Sequence, residues 1–227
     1  TTGAGGSISI MGTTTGTGSD SDGVDANGSA LSTMGDTATI SVTGGSAGGD
    51  GVFLGSSGST TTGAGGSISI MGTTTGTGGD SDGVIAESSA LSTDGDTGTI
   101  SVTGVTAGDD GVGLSADSDV TTGGASTATI TIMGTTTGSN GSDSEGVLID
   151  SFGDDVTITS AAGAITITGS ASGTSGDGVE IDAGIGLAID ANGVATVTII
   201  GTGDESESGV QIDSLIESDT GTITITA

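Results

Sequence analysis

Residues 1–18 read TTGAGGSISIMGTTTGTG, and residues 61–78 repeat them letter for letter. The identity extends outward without a gap: 44 of the 60 positions in residues 1–60 recur in residues 61–120. A fixed period of this kind marks one supersecondary unit stacked on copies of itself. Inside the 60-residue block lies a shorter unit. Its first marker is an alternating apolar stretch, "SISIMG" or "TISVTG", recurring at Ile8, Ile40, Ile68, Ile100, Ile130, Ile165, Val197 and Ile223. Its second is a Gly-Val step at Val24, Val52, Val84, Val112, Val147, Val179 and Val210. Spacings run from 26 to 35 residues, so the unit is about 30 residues long.

Each unit holds three short stretches in which β-branched residues alternate with polar ones, as in Ile130-Thr131-Ile132, Val179-Glu180-Ile181 and Val156-Thr157-Ile158. Period-two alternation predicts strands with one buried face. Three strands per unit predict an all-β chain, a three-sided parallel β-helix (β-solenoid) of seven to eight coils with uncapped ends. The whole chain, 1–227, reads as one repetitive solenoid, a double repeat followed by diverged coils from 121 to 227. At about 4.8 Å per coil the rod is on the order of 36 Å long.

Composition narrows function sharply. The chain has no Lys, Arg, His, Pro, Cys, Trp or Tyr, and its 29 acidic residues give a formal charge of −29. Chemistry falls to carboxylates and hydroxyls, with no cation to stabilise an oxyanion or phosphate, so a non-enzymatic role is expected. The charge repels nucleic acid and anionic membranes, and no apolar run is long enough to insert in a bilayer. Gly, Ser and Thr supply 124 residues and Leu, Ile, Val and Phe only 45, close to the composition of disordered chains. The regular placement of those aliphatic residues is what argues for a folded ladder.

The motifs "GTISVTG", "GAITITGSASGTSGDGVEI" and "GTITITA" resemble repeats of bacterial surface proteins of the filamentous-haemagglutinin-like, β-strand-repeat type. That resemblance implies an extracellular or cell-surface solenoid serving in adhesion, surface coating or filament formation, with a surface or glycan target; the unpaired edges of uncapped ends predict copies of the chain as partners, head to tail or laterally. It transfers no binding residue.

Aligned on Gly-Val, residues Asp22, Asp50, Asp82, Asp110, Glu145 and Asp177 share one register. Stacked a strand spacing apart, like charges repel by about 1 kcal/mol per pair in water and by more where solvent is scarce. Asp20, Asp80 and Asp143 add carboxylates two positions earlier, and Asp109 stands beside Asp110. Oxygen ligands at such turns suit Ca²⁺; a plain solvated acidic turn is the alternative. Asn27-Gly28-Ser29 and Asn140-Gly141-Ser142 match both a glycosylation pattern and a tight-turn pair.

The alternating polar positions of the first stretch predict an outward hydroxyl ladder: Ser7/Ser9, Thr39/Ser41, Ser67/Ser69, Thr99/Ser101, Thr129/Thr131, Thr166/Thr168, Thr196/Thr198 and Thr222/Thr224. Such an array could be a polar face, a packing surface or an ice-binding surface. The threonine triplets at 13–15, 73–75 and 135–137 are expected to form outward loops on alternate coils.

Overall fold

In the computed structural model, strands that follow one another in sequence turn about a common axis, and each pairs with its counterpart one coil away. The structure describes all residues except 1–4, 36, 57, 125–126, 139–143, 152–154, 174–175, 183–186 and 205. Among the described residues the chain forms three sheets of eight, seven and seven strands, every pairing parallel, and no helix. The first sheet contains Ser7–Thr13, Thr39–Ser46, Ser67–Thr74, Thr99–Thr106, Thr129–Thr136, Ile165–Ala171, Val197–Thr202 and Ile223–Thr226. The second contains Val24–Asp25, Val52–Leu54, Val84–Glu87, Val112–Ser115, Val147–Asp150, Val179–Asp182 and Val210–Ile212. The third contains Ala30–Ser32, Ser59–Thr62, Ala90–Thr93, Asp119–Thr122, Thr157–Ser160, Leu187–Ala191 and Leu215–Ser218. This is the three-sided β-solenoid that the sequence predicts.

The register is the one marked by the repeats. Ile8, Ile40, Ile68, Ile100, Ile130, Ile165, Val197 and Ile223 are successive partners in the first sheet. The seven Gly-Val valines pair likewise in the second sheet. Ile40, Ile130, Val112, Ile149 and Ile158 are fully buried, so the scattered aliphatic residues form continuous inward columns. Burying each such side chain contributes about 1.5–3 kcal/mol. The third sheet is irregular once, between Leu187 and Ile189.

Two features of the tube were hidden in the repeats. The glycine that ends each "IMG" or "VTG" motif packs straight against the backbone of the glycine before valine. A Cβ on Gly72 would overlap the carbonyl oxygen of Gly83, and one on Gly104 that of Gly111. The first and second sheets converge on this seam, and only hydrogen fits between them. At the neighbouring corner a hydroxyl turns the chain: Oγ1 of Thr74, Thr106 and Thr136 accepts the N–H two residues on, at 3.0, 2.8 and 3.0 Å.

That last observation corrects the expectation for the threonine triplets. Thr73–Thr74 and Thr135–Thr136 continue first-sheet strands, and Thr74 and Thr136 point inward, buried. They are corner residues: at this position after the seam glycine the hydroxyls of Thr14, Ser46, Thr74, Thr106 and Thr136 cap the turn, and Ala171 takes the same place without a cap. In the third sheet, an inward column of Thr33, Thr62 and Thr93 carries buried hydroxyls without hydrogen-bond partners. A Cβ on Gly66 would crowd Thr62 and one on Gly98 would crowd Thr93, so small residues face this column.

Candidate functional site: the buried acidic column

The register that stacks the valines also stacks the acids that stand two positions before them. Asp50, Asp82, Asp110, Glu145 and Asp177 are buried and Asp22 is half-buried. They are joined by a repeating hydrogen bond. Oδ1 of Asp22 accepts the N–H of Asp50 at 2.9 Å, Oδ1 of Asp50 that of Asp82 at 2.9 Å, and Oδ1 of Asp82 that of Asp110 at 2.8 Å. Oδ1 of Asp110 accepts from Glu145 N–H at 2.9 Å, and the last carboxylate of the column, Asp177, accepts from Ser208 N–H at 2.6 Å. The five aspartates thus each satisfy a backbone donor of the next coil, which an apolar residue could not do.

Burial dominates the electrostatics. It raises the Asp22 carboxyl, against the Asp50 N–H that favours ionisation, and it pushes Asp50 up to about 7. Asp82 and Asp110 lie well above the ordinary carboxylate range, first because they are desolvated and then because their acidic neighbours repel a further charge. With protons on the inner members, the column avoids stacking one full charge on another.

The remaining sequence candidates occupy different surroundings. Asp20 and Asp80 are exposed at the turn and stand outside the hydrogen-bonded column. Ser21 and Ser81, which follow them, point back toward the corner, and Ser81 donates its hydroxyl to the Gly48 carbonyl at 2.5 Å. Asp143 and the Asn140–Ser142 segment lie outside the described residues. Asn27 forms the turn of its motif, its N–H donated to Asp25 Oδ1 at 2.9 Å with Gly28 at φ 62°. Among the described residues one carboxylate cluster spans two coils: Asp82, Asp109 and Asp110 bring one oxygen each to within 4.8 Å of one another. The sequence signal for this grouping was the 28-residue separation of Asp82 and Asp110 combined with the acidic neighbour Asp109.

The column forms one wall of a shallow cleft of about 570 Å³. Outward residues of the second sheet, Phe53, Ile85 and Leu148, give it an apolar strip; Asp25 stands in the same row as Phe53, and Glu87 also lines the cleft. Hard oxygen donors in threes fit Ca²⁺, which would take the place of the protons on Asp82 and Asp110.

The hydroxyl ladder stands on the first sheet's outward face, with one correction. The second row runs Ser9, Ser41, Ser69, Ser101, Thr131, Thr166, Thr198, Thr224. In the sixth coil Ile165 pairs with Ile130, so Thr168 falls in the third row, opposite Met133, and Ala164 precedes Ile165 where Thr129 precedes Ile130. The third row also carries Met11 and Met71, which a ladder read from Ser and Thr alone passes over.

No family model matches the chain, and neither a curated protein nor a solved structure shows significant similarity to it.

Proposed function

We propose that this chain is a structural or adhesive module of an extracellular bacterial fibre or surface filament, assembling end to end or as part of a longer solenoid. The observation that carries this reading is uniformity. The same register and the same inward columns recur in coil after coil, and the acids stack as a column instead of converging on one catalytic centre. A rod of repeated coils presents the same chemistry along its length, which suits coating, spacing or multivalent attachment. The repeats resembling filamentous-haemagglutinin-like surface proteins support an extracellular setting, with a surface or glycan target. A non-enzymatic role follows from a chain whose reactive groups are only carboxylates and hydroxyls.

Calcium is proposed as a structural ligand of the acidic column, with Asp82, Asp109 and Asp110 as its core. Asp22, Asp50, Glu145 and Asp177 continue the same column along the rod.

Negative-stain microscopy of purified protein tests the fibre reading: filaments are expected, and a field of isolated 20.8 kDa particles at every concentration would sink it. A second reading, ice binding, is favoured by the regular Ser and Thr rows on one flat face; Met11, Met71 and Met133 interrupt them. Thermal hysteresis in a freezing-point assay separates the two.

A further inference from the structure

The 29 carboxylates are distributed unevenly around the tube. The second and third sheets carry several on their strands, among them Asp25, Glu87, Asp150, Asp119, Asp190 and Glu217. None lies on any of the eight strands of the first sheet. That same face collects exposed apolar side chains: Met11, Met71, Val105, Met133 and Ile200 are 78, 46, 42, 46 and 39% exposed. An uncharged, partly apolar plane on a chain of charge −29 is the surface on which electrostatics permits contact with another such chain.

The geometry of the plane adds shape to this argument. Met11, Thr43, Met71, Thr103, Met133, Thr168 and Ile200 are successive partners in one outward row. Large and small side chains therefore alternate, with the large ones two coils apart, about 9.6 Å. A two-fold axis parallel to the strands lays this row on itself in reverse, and an offset of one coil seats each large side chain over a threonine. Methionine, unbranched and polarizable, suits such interdigitation. The face measures about 34 Å along the rod and about 23 Å along the strands, close to 800 Å², the area one partner buries in a stable complex of standard size.

We propose that the first-sheet face pairs with the first-sheet face of a second copy, joining two solenoids through the methionine row. The pairing deepens the fibre reading, on which it rests for its biological sense, by naming the surface through which rods associate laterally. A second copy is favoured over other occupants by charge. Cationic partners are drawn to the acidic sheets, whereas an identical chain is repelled by those sheets and meets no carboxylate on the strands of this one.

The test is sedimentation of the purified chain at neutral pH in EDTA, which removes bridging by divalent ions, at about 0.05 and about 0.5 M NaCl. The wild-type chain is expected to dimerise, more tightly at high salt, where repulsion between the acidic faces is screened. Met71→Glu and Met133→Glu place charge on the plane and are each expected to weaken dimerisation on the order of tenfold, the double variant being monomeric. Met34→Glu, at a methionine that is 62% exposed but off this sheet, serves as the control and should leave dimerisation unchanged. Circular dichroism establishes that each variant keeps its strands. A wild-type chain that stays monomeric at high salt, or a double variant that dimerises like the wild type, overturns the pairing. Microscopy separates the two readings: axial filaments that never pair overturn this one alone, and pairs that never extend overturn the fibre reading alone.

Discussion

Oδ1 of Asp82 accepts the backbone N–H of Asp110 across 2.8 Å, although both side chains are buried and both are acidic. The acid of one coil is thus the hydrogen-bond acceptor for the acid of the next, and the arrangement is stable when the inner carboxyls hold protons. This sets the pH dependence. Asp50, raised to about 7, and Asp82 and Asp110, also raised well above the ordinary range by burial, bind protons more tightly folded than unfolded, where aspartate titrates near 3.9. Their contribution to stability is complete below the unfolded value and is lost as pH rises through the folded values. In EDTA the melting temperature should fall steadily from pH 5 to pH 8. A flat or rising profile over that interval contradicts protonation of the column.

Replacing a carboxyl by an amide separates charge from hydrogen bonding. Asp82→Asn and Asp110→Asn keep an oxygen for the next coil's N–H and remove the ionisable group. Both variants are expected to melt higher than wild type at pH 7.5 in EDTA and to flatten the pH profile. Asp82→Ala instead leaves the Asp110 N–H buried and unpaired, at a cost of about 1–3 kcal/mol. Thermal melts of the three variants side by side decide whether the acid is retained for its acceptor or for its charge.

Calcium should compete with those protons. Titrating Ca²⁺ into the chain at pH 7 is expected to raise the melting temperature, by mass action, and to release protons measurable in weakly buffered solution. Asp109→Asn, which alters the cluster without touching the ladder of N–H bonds from Asp22 to Glu145, should weaken the effect. Unchanged melting and no proton release on adding Ca²⁺ would remove the metal from the account and leave the fold intact.

The glycine seam predicts an asymmetric response to a single methyl group. Gly72→Ala or Gly104→Ala forces a Cβ into the opposing carbonyl oxygen and is expected to cost at least the 1–3 kcal/mol typical of overpacking. Gly79→Ala, with open space around it, should be nearly neutral. Denaturant unfolding of the pair measures the difference; equal stability would show that the sheets can separate at the seam.

Thr62 and Thr93 offer the opposite opportunity. Their buried hydroxyls have no partner, so Thr62→Val and Thr93→Val remove an unsatisfied polar atom at nearly constant volume. Stabilisation of about 1–2 kcal/mol per site is expected in chemical unfolding. A loss of stability would mean that the hydroxyls are satisfied in solution, for instance by a buried water.

Much of this was legible before any coordinates. The period-two pattern placed Ile130, Ile132, Val179 and Ile158 inward, because a strand with one dry face leaves a binary trace in sequence. The acidic register was visible for the same reason, since stacking follows the repeat. What stayed hidden was how side chains meet across corners. Asp80 looked like the natural second ligand to Asp82, yet the three-carboxylate cluster takes in Asp109 from the next coil, because residues matched across coils lie one strand spacing apart. Thr74 and Thr136 looked like loop residues and are buried corner caps.

The repeat by itself determined the strands, the parallel register and the inward aliphatic columns, because each depends only on local alternation and on copies matching copies. Tertiary structure alone decided which carboxylates share a site, which glycines carry the seam and which face is free of charge. Those properties arise where different sides of the tube approach one another, and the distance between sides is set by packing around the whole coil.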